Sequence, residues 1–167
     1  DLVWGKCISA SQTGILIDSS RGQGLLFSSL ANAEQTSNGP FMTSYDSDGF
    51  TLASSGSNPN DSGRTYVAWC WRANGASTSS NSSGSITSTV QANTKGGFSI
   101  MTYTGTGSNA TIGHGLSAKP DFILTKRRSS EQTWGVYHTS LGATKYLALN
   151  SSAAAGTDST FWNNTEP

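Results

Sequence analysis

The chain has 167 residues and a formal net charge of zero, from ten basic and ten acidic side chains, so it lacks the cationic surface whose counterion release drives nucleic-acid binding. Only 34% of residues are hydrophobic and 12% are charged, against about 45–50% and about 25% in ordinary globular domains; five Trp, five Tyr and six Phe nevertheless set it apart from disordered chains, which combine few aromatics with high net charge. No apolar run approaches the roughly 18 residues of a membrane helix, no leader pattern opens the sequence, and a start at Asp1 rather than Met points to a longer or processed chain.

The periodicity is that of strands. Apolar residues never recur at i, i+3, i+4 and i+7, whereas Thr, Tyr, Phe, Trp and Ile gather in short runs between Gly, Ser and Asn clusters. Residues 1–6, 14–18 and 24–28 are expected to form a three-stranded meander, with Gly22 in the tight turn before the third strand. Residues 29–40, rich in Ala, Ser and Asn, read as irregular. Asp46-Ser47-Asp48-Gly49 sets two carboxylates before a glycine as calcium loops do. A full site needs roughly six to eight oxygens, and no Glu closes the loop. The segment reads as a solvated turn leading into a strand at 49–52. Residues 65–71, Thr-Tyr-Val-Ala-Trp-Cys-Trp, place Val67, Trp69 and Trp71 on one face and Tyr66, Ala68 and Cys70 on the other. An apolar run of this kind is expected at the centre of a sheet with both faces covered, and Trp69, Trp71 and Trp4 are assigned to the core. Residues 74–94 read as a Ser/Gly/Asn-rich linker, and 97–103 as a further strand.

At Asp121 the beginning of the chain returns. Asp1-Leu2-Val3-Trp4-Gly5-Lys6 aligns with Asp121-Phe122-Ile123-Leu124-Thr125-Lys126, and the same spacing pairs Gln12-Thr13 with Gln132-Thr133, Ser20 with Ser140, Gly22 with Gly142, Ala33 with Ala153 and Phe41 with Phe161. A second meander is therefore expected at 121–126, 134–138 and 144–149, with irregular chain at 150–160. The cluster Lys126-Arg127-Arg128 reads as a solvated turn. Cys7 aligns with Arg127, so its position is not reserved for a bridge to Cys70, and free thiols are the stronger reading. The fold class is all-β: an antiparallel β-sandwich, lectin-like or jelly-roll, built from the repeated meander. The division is 1–73 and 95–167 as β-rich repeat units around the 74–94 linker. Each unit lacks strands that the other has; either a neighbouring chain supplies them or the two units complete a single sandwich.

Tyr66-Val67-Ala68-Trp69-Cys70-Trp71-Arg72, the run Gly96-Gly97-Phe98-Ser99-Ile100-Met101-Thr102-Tyr103-Thr104-Gly105, Gly113-His114-Gly115-Leu116 and Ser140-Leu141-Gly142-Ala143-Thr144-Lys145-Tyr146-Leu147 together resemble a repeated module of tail-fibre-like and other structural proteins of marine bacteriophages. The resemblance covers nearly the whole chain. It implies a virion or surface-fibre component with a sandwich or jelly-roll fold, and it brings no catalytic residues.

The chemistry-bearing residues add little to that. His114 and His138 are the only histidines; the first reads as a turn residue bonding backbone, and the second aligns with Asp18. No spacing suggests a nucleophile, base and orienting acid, and two Cys and two His share no zinc-ligand pattern. No catalytic, metal or cofactor residues are assigned. Sugar rings stack on exposed aromatics while Asn and Asp supply hydrogen bonds, which makes Trp134, Tyr137, Trp162, Asn163 and Asn164 the ligand or interface candidates; core or interface packing is the stronger reading for Trp134 and Trp162. The expected function is a non-enzymatic virion module, such as a tail-fibre, decoration or capsid-associated protein. It would act by assembly with copies of itself or other virion proteins, at the particle surface and with neither nucleic acid nor membrane. The alternative is a lectin-like adhesin that recognises host glycans. A polysaccharide hydrolase ranks last, since no carboxylate pair stands out.

Overall fold

The computed structural model describes residues 1–36, 41–53 and 59–167; the 37–40 part of the expected irregular stretch lies outside them. β1 (Leu2–Cys7) alternates, burying Val3, Gly5 and Cys7 on one side. It pairs antiparallel with β2 (Ile15–Asp18), which in turn pairs with β3 (Leu26–Phe27). Gly22, at φ 77°, turns the chain between β2 and β3. β4 (Met42–Tyr45) and β5 (Phe50–Leu52) form a hairpin. Its Asp46 carboxylate accepts hydrogen bonds from the Ser44 and Thr51 hydroxyls, each 2.8 Å, so Asp46–Gly49 is a turn closed by its own side chains. β6 (Tyr66–Trp71) then pairs with β1, giving a four-stranded sheet in the order β3-β2-β1-β6.

Both faces of this sheet carry apolar cores. Val3, Ile15, Ile17 and Leu25 pack with Met42, Phe41, Tyr45 and Phe50 of the hairpin region. The alternate residues Leu16 and Leu26, with Leu2 and Trp4, pack against Trp134, Leu124 and Leu149 of the second copy. That is why all four residues of β2 are buried: it is the strand with both faces covered. The sequence assigned this place to β6. β6 instead runs along the sheet edge with Ala68–Trp71 exposed, because an apolar, β-branched and aromatic run favours a strand without fixing where in the sheet it lies.

β7 (Ser79–Asn81), β8 (Ser88–Asn93) and β9 (Phe98–Thr102) form a three-stranded sheet. Two of these strands lie in the stretch whose composition reads as linker. A ladder needs only backbone N–H and C=O groups, and within the polar sequence Ile86, Ser88, Val90 and Gln91 are buried. Gln91 joins this sheet to the first: its amide nitrogen donates to the Ser19 and Ser20 hydroxyls (3.0 and 2.9 Å), and its carbonyl accepts from the backbone N–H of Asn74 and Ala76. The Asp1 carboxylate accepts three more backbone N–H groups, from Ala73, Gly75 and Ala76, at 2.8–2.9 Å.

β10 (Phe122–Thr125) and β11 (Gly135–His138) reproduce β1 and β2 residue for residue. Leu2↔Asp18, Val3↔Ile17, Trp4↔Leu16 and Gly5↔Ile15 become Phe122↔His138, Ile123↔Tyr137, Leu124↔Val136 and Thr125↔Gly135. The closing bonds match as well, Ser19 N–H to Asp1 O at 2.8 Å and Thr139 N–H to Asp121 O at 2.9 Å, and Gly142 has φ 73° where Gly22 has 77°. The third strand departs. β12 (Lys145–Tyr146) pairs with β13 (Gly156–Thr157), and the isolated bridge Val136↔Leu147 joins this segment to β11. A one-turn helix α1 (Ser159–Trp162), capped by Asp158, follows. The fold is nearly all-β, 35% strand and 3% helix, in several antiparallel sheets of which none closes on itself.

Candidate functional site

The outer edge of β6 is the surface with the least reason to be bare. The β1–β6 register sets Trp4 opposite Trp69 and Leu2 opposite Trp71, so these four side chains share one sheet face. The Trp4 and Trp69 rings meet edge to face, centroids 6.0 Å apart at 62°, and Trp71 stacks on Phe98 of β9 at 6.3 Å and 26°. These geometries suit the ring quadrupoles, yet Trp69 remains 47% and Trp71 38% exposed. No strand lies beyond β6 among the described residues. Edge strands are ordinarily protected by charge, proline or a bulge; residues 65–71 contain no charge and no proline, and all six β1–β6 pairs are in unbroken register. Cys70 adds an exposed thiol to the same strand, while Cys7 is buried, and both are unbridged.

The five residues singled out from the sequence do not form one surface. Trp134 is 3% exposed; its indole N–H lies 2.9 Å from Phe27 O and 3.2 Å from Leu30 O, so it braces the two copies and offers no ring face to a sugar. Tyr137, on the opposite face of β11, is fully buried and donates its hydroxyl to Glu166 Oε2 at 2.6 Å. Its ring meets Trp162 edge to face at 5.7 Å. Trp162 is half-buried, and Asn163 and Asn164 are exposed at φ 55° and 52°, where their short polar side chains suit the left-handed end of α1. The structure thus unites Tyr137 with Trp162 as packing and leaves the two asparagines at the surface, where Asn163 Oδ1 accepts from Asn109 Nδ2 at 3.0 Å.

Glu166 also accepts from Lys119 Nζ at 2.8 Å. The ammonium, and then the Tyr137 hydroxyl, hold this carboxyl below its ordinary range; burial, and then Glu166, raise Tyr137. His114 and His138 each accept a backbone N–H at Nδ1 (3.1 Å), from Leu116 and Ser140 two residues on, the second of them at the end of β11. Among the described residues no three His, Cys, Asp or Glu side chains gather in a way that would hold a metal ion.

Sequence reasoning missed one charged assembly altogether. Arg21, with its side chain 5% exposed, donates to Asp18 Oδ2 and Glu34 Oε1, both 2.5 Å away, and Arg128 reaches Glu34 Oε2 at 2.7 Å. Four alternating charges therefore link the two copies, reinforced by Glu34 N–H to Arg128 O at 2.9 Å. In the repeat, His138 stands for Asp18 and Leu141 for Arg21, so comparing the copies hides the pair. The bare β6 edge had a readable signal in its missing charges.

Residues 1–167 match the family described as Domain of unknown function (DUF7483), to which the chain belongs. No curated protein and no solved structure matches it.

Proposed function

We propose from its geometry that this member of the family is a non-enzymatic structural module that works by assembly through the β6 edge and its tryptophan strip. The observation that carries this reading is an uncharged, six-residue edge strand with four consecutive exposed residues, two of them Trp. Unprotected edges pair with other chains, and aromatic residues are what protein interfaces concentrate. The sequence resemblance to repeated phage fibre modules supports a place in a virion or surface fibre. In this reading the four-stranded sheet and the second meander, which share the Leu16–Leu26–Trp134 core, are the two leaves of an antiparallel sandwich.

Sedimentation of the purified chain over a wide concentration range tests it. Mass above the monomer that falls away in Trp69→Lys is the expected result; a monomer throughout would overturn it. A second reading draws on the same side chains: Trp69 and Trp71 lie two apart on one face, an arrangement on which a host glycan could stack. Glycan-array binding that is lost in Trp69→Ala, by a chain that stays monomeric, would favour that reading.

A further inference from the structure

The internal repeat leaves one strand edge without the partner that its equivalent has. β1 and β10 are equivalent strands in equivalent registers against β2 and β11. β1 carries β6 on its other edge, whereas β10 carries nothing there among the described residues, and Phe122 at that edge is 54% exposed. Two of the unpaired, uncharged strand edges among the described residues are therefore the outer edge of β6 and the edge of β10 that corresponds to the β6-bearing edge of β1.

We propose that these edges meet between molecules, β6 of one copy adding antiparallel to β10 of a second copy. Backbone direction restricts the register, because a residue facing the new partner must oppose another that faces back. Ile8 N–H donates to Thr65 O, so Thr65, Val67, Trp69 and Trp71 turn their backbone groups toward β1 and leave those of Tyr66, Ala68 and Cys70 on the open edge. Thr139 N–H donates to Asp121 O, so Asp121, Ile123 and Thr125 face β11, and Phe122 and Leu124 face outward. The pairing that satisfies both strands is Phe122↔Cys70, Ile123↔Trp69, Leu124↔Ala68 and Thr125↔Val67. Every pair but the last is wholly apolar, and such cross-strand pairs stabilise sheets. A slip of two residues one way sets Phe122 against Arg72, whose carbonyl is already taken by Asn93 Nδ2 at 3.1 Å; a slip the other way sets Asp121 against Trp69. Because the two edges differ, the contact is head to tail, and repetition gives a ring or an open filament rather than a closed pair.

The inference rests on the assembly reading, and a disulfide trap separates the two. Phe122→Cys is introduced with Cys70 kept; Cys7 is buried and does not compete. Mild oxidation of this variant, at a concentration where the unaltered chain is assembled, is expected to give a ladder of linked chains. Peptide mapping should join position 122 of one chain to Cys70 of the next, because residues opposed as a hydrogen-bonded pair have Cα atoms about 5.5 Å apart, within the span a disulfide bridges. Thr125→Cys, three residues along and on the other face, should link several-fold more slowly. Phe122→Lys alters a side chain that is more than half exposed and should weaken self-association at least about tenfold in Kd. A Cys70–Cys70 link between unaltered copies, or undiminished association in Phe122→Lys, would overturn the β6–β10 pairing while the assembly reading stood. A chain that neither associates nor cross-links overturns both.

Discussion

Trp134 shows how one side chain can bind two copies of a repeat. Its ring fills the face of the first sheet between Leu16 and Leu26, and its N–H satisfies carbonyls of a segment 107 residues earlier in the chain. Trp134→Ala is expected to destabilise by about 3–5 kcal/mol in denaturant unfolding. Trp134→Phe keeps most of the ring and loses the donor to Phe27 O and Leu30 O, so its cost should be smaller, about 1 kcal/mol. The sequence marks this residue only as an aromatic after a turn; its partners at Phe27 and Leu30 belong to the other copy. Glu166 is the second informative residue. A carboxyl held below its ordinary value contributes stability above its unfolded-state pKa, and that contribution is lost as pH falls through the folded value. The tether from Glu166 to Lys119 and Tyr137 should accordingly hold at neutral pH and release in acid, below the usual carboxylate range. Amide protection factors of residues 163–166, taken against the intrinsic rate at each pH, would fall on acidification, and Glu166→Gln should show the lowered protection at neutral pH as well.

Elements were legible in the sequence where two copies agreed. The β1–β2 and β10–β11 hairpins follow from the aligned residues, and their registers coincide because Leu2/Phe122, Val3/Ile123 and Trp4/Leu124 present the same apolar alternation to the same kind of neighbour. The position of β6 was not legible, since Tyr-Val-Ala-Trp-Cys-Trp satisfies β-propensity equally at a centre or an edge. Strands β7 and β8 were hidden because polar side chains can ride on a backbone ladder, while Gln91 is buried by hydrogen bonds rather than by hydrophobicity. The charged assembly between elements is a matter of spatial adjacency alone. Its members should be unequal. Arg21→Met leaves Asp18 buried without its cation and Glu34 with only the half-exposed Arg128, and is expected to cost about 3–5 kcal/mol. Arg128→Ala removes a 45% exposed partner and should cost no more than about 1 kcal/mol. Equal losses on urea unfolding would contradict this ranking.

The whole molecule holds together because the second copy covers a face of the first. A chain ending at residue 120 keeps the four-stranded sheet and the Val3–Ile15–Met42 core but uncovers Leu16, Leu26 and Trp4. It is expected to bind an apolar dye that the full chain excludes and to unfold at lower denaturant. The same geometry has a consequence in time. A ribosome adding about 5–20 residues per second needs about 5–20 s to pass from Phe27 to Trp134, and throughout that interval the first meander waits with its outward face wet. In a protein of many such repeats, synthesis would always trail one open face behind it, closed only when the next copy arrives.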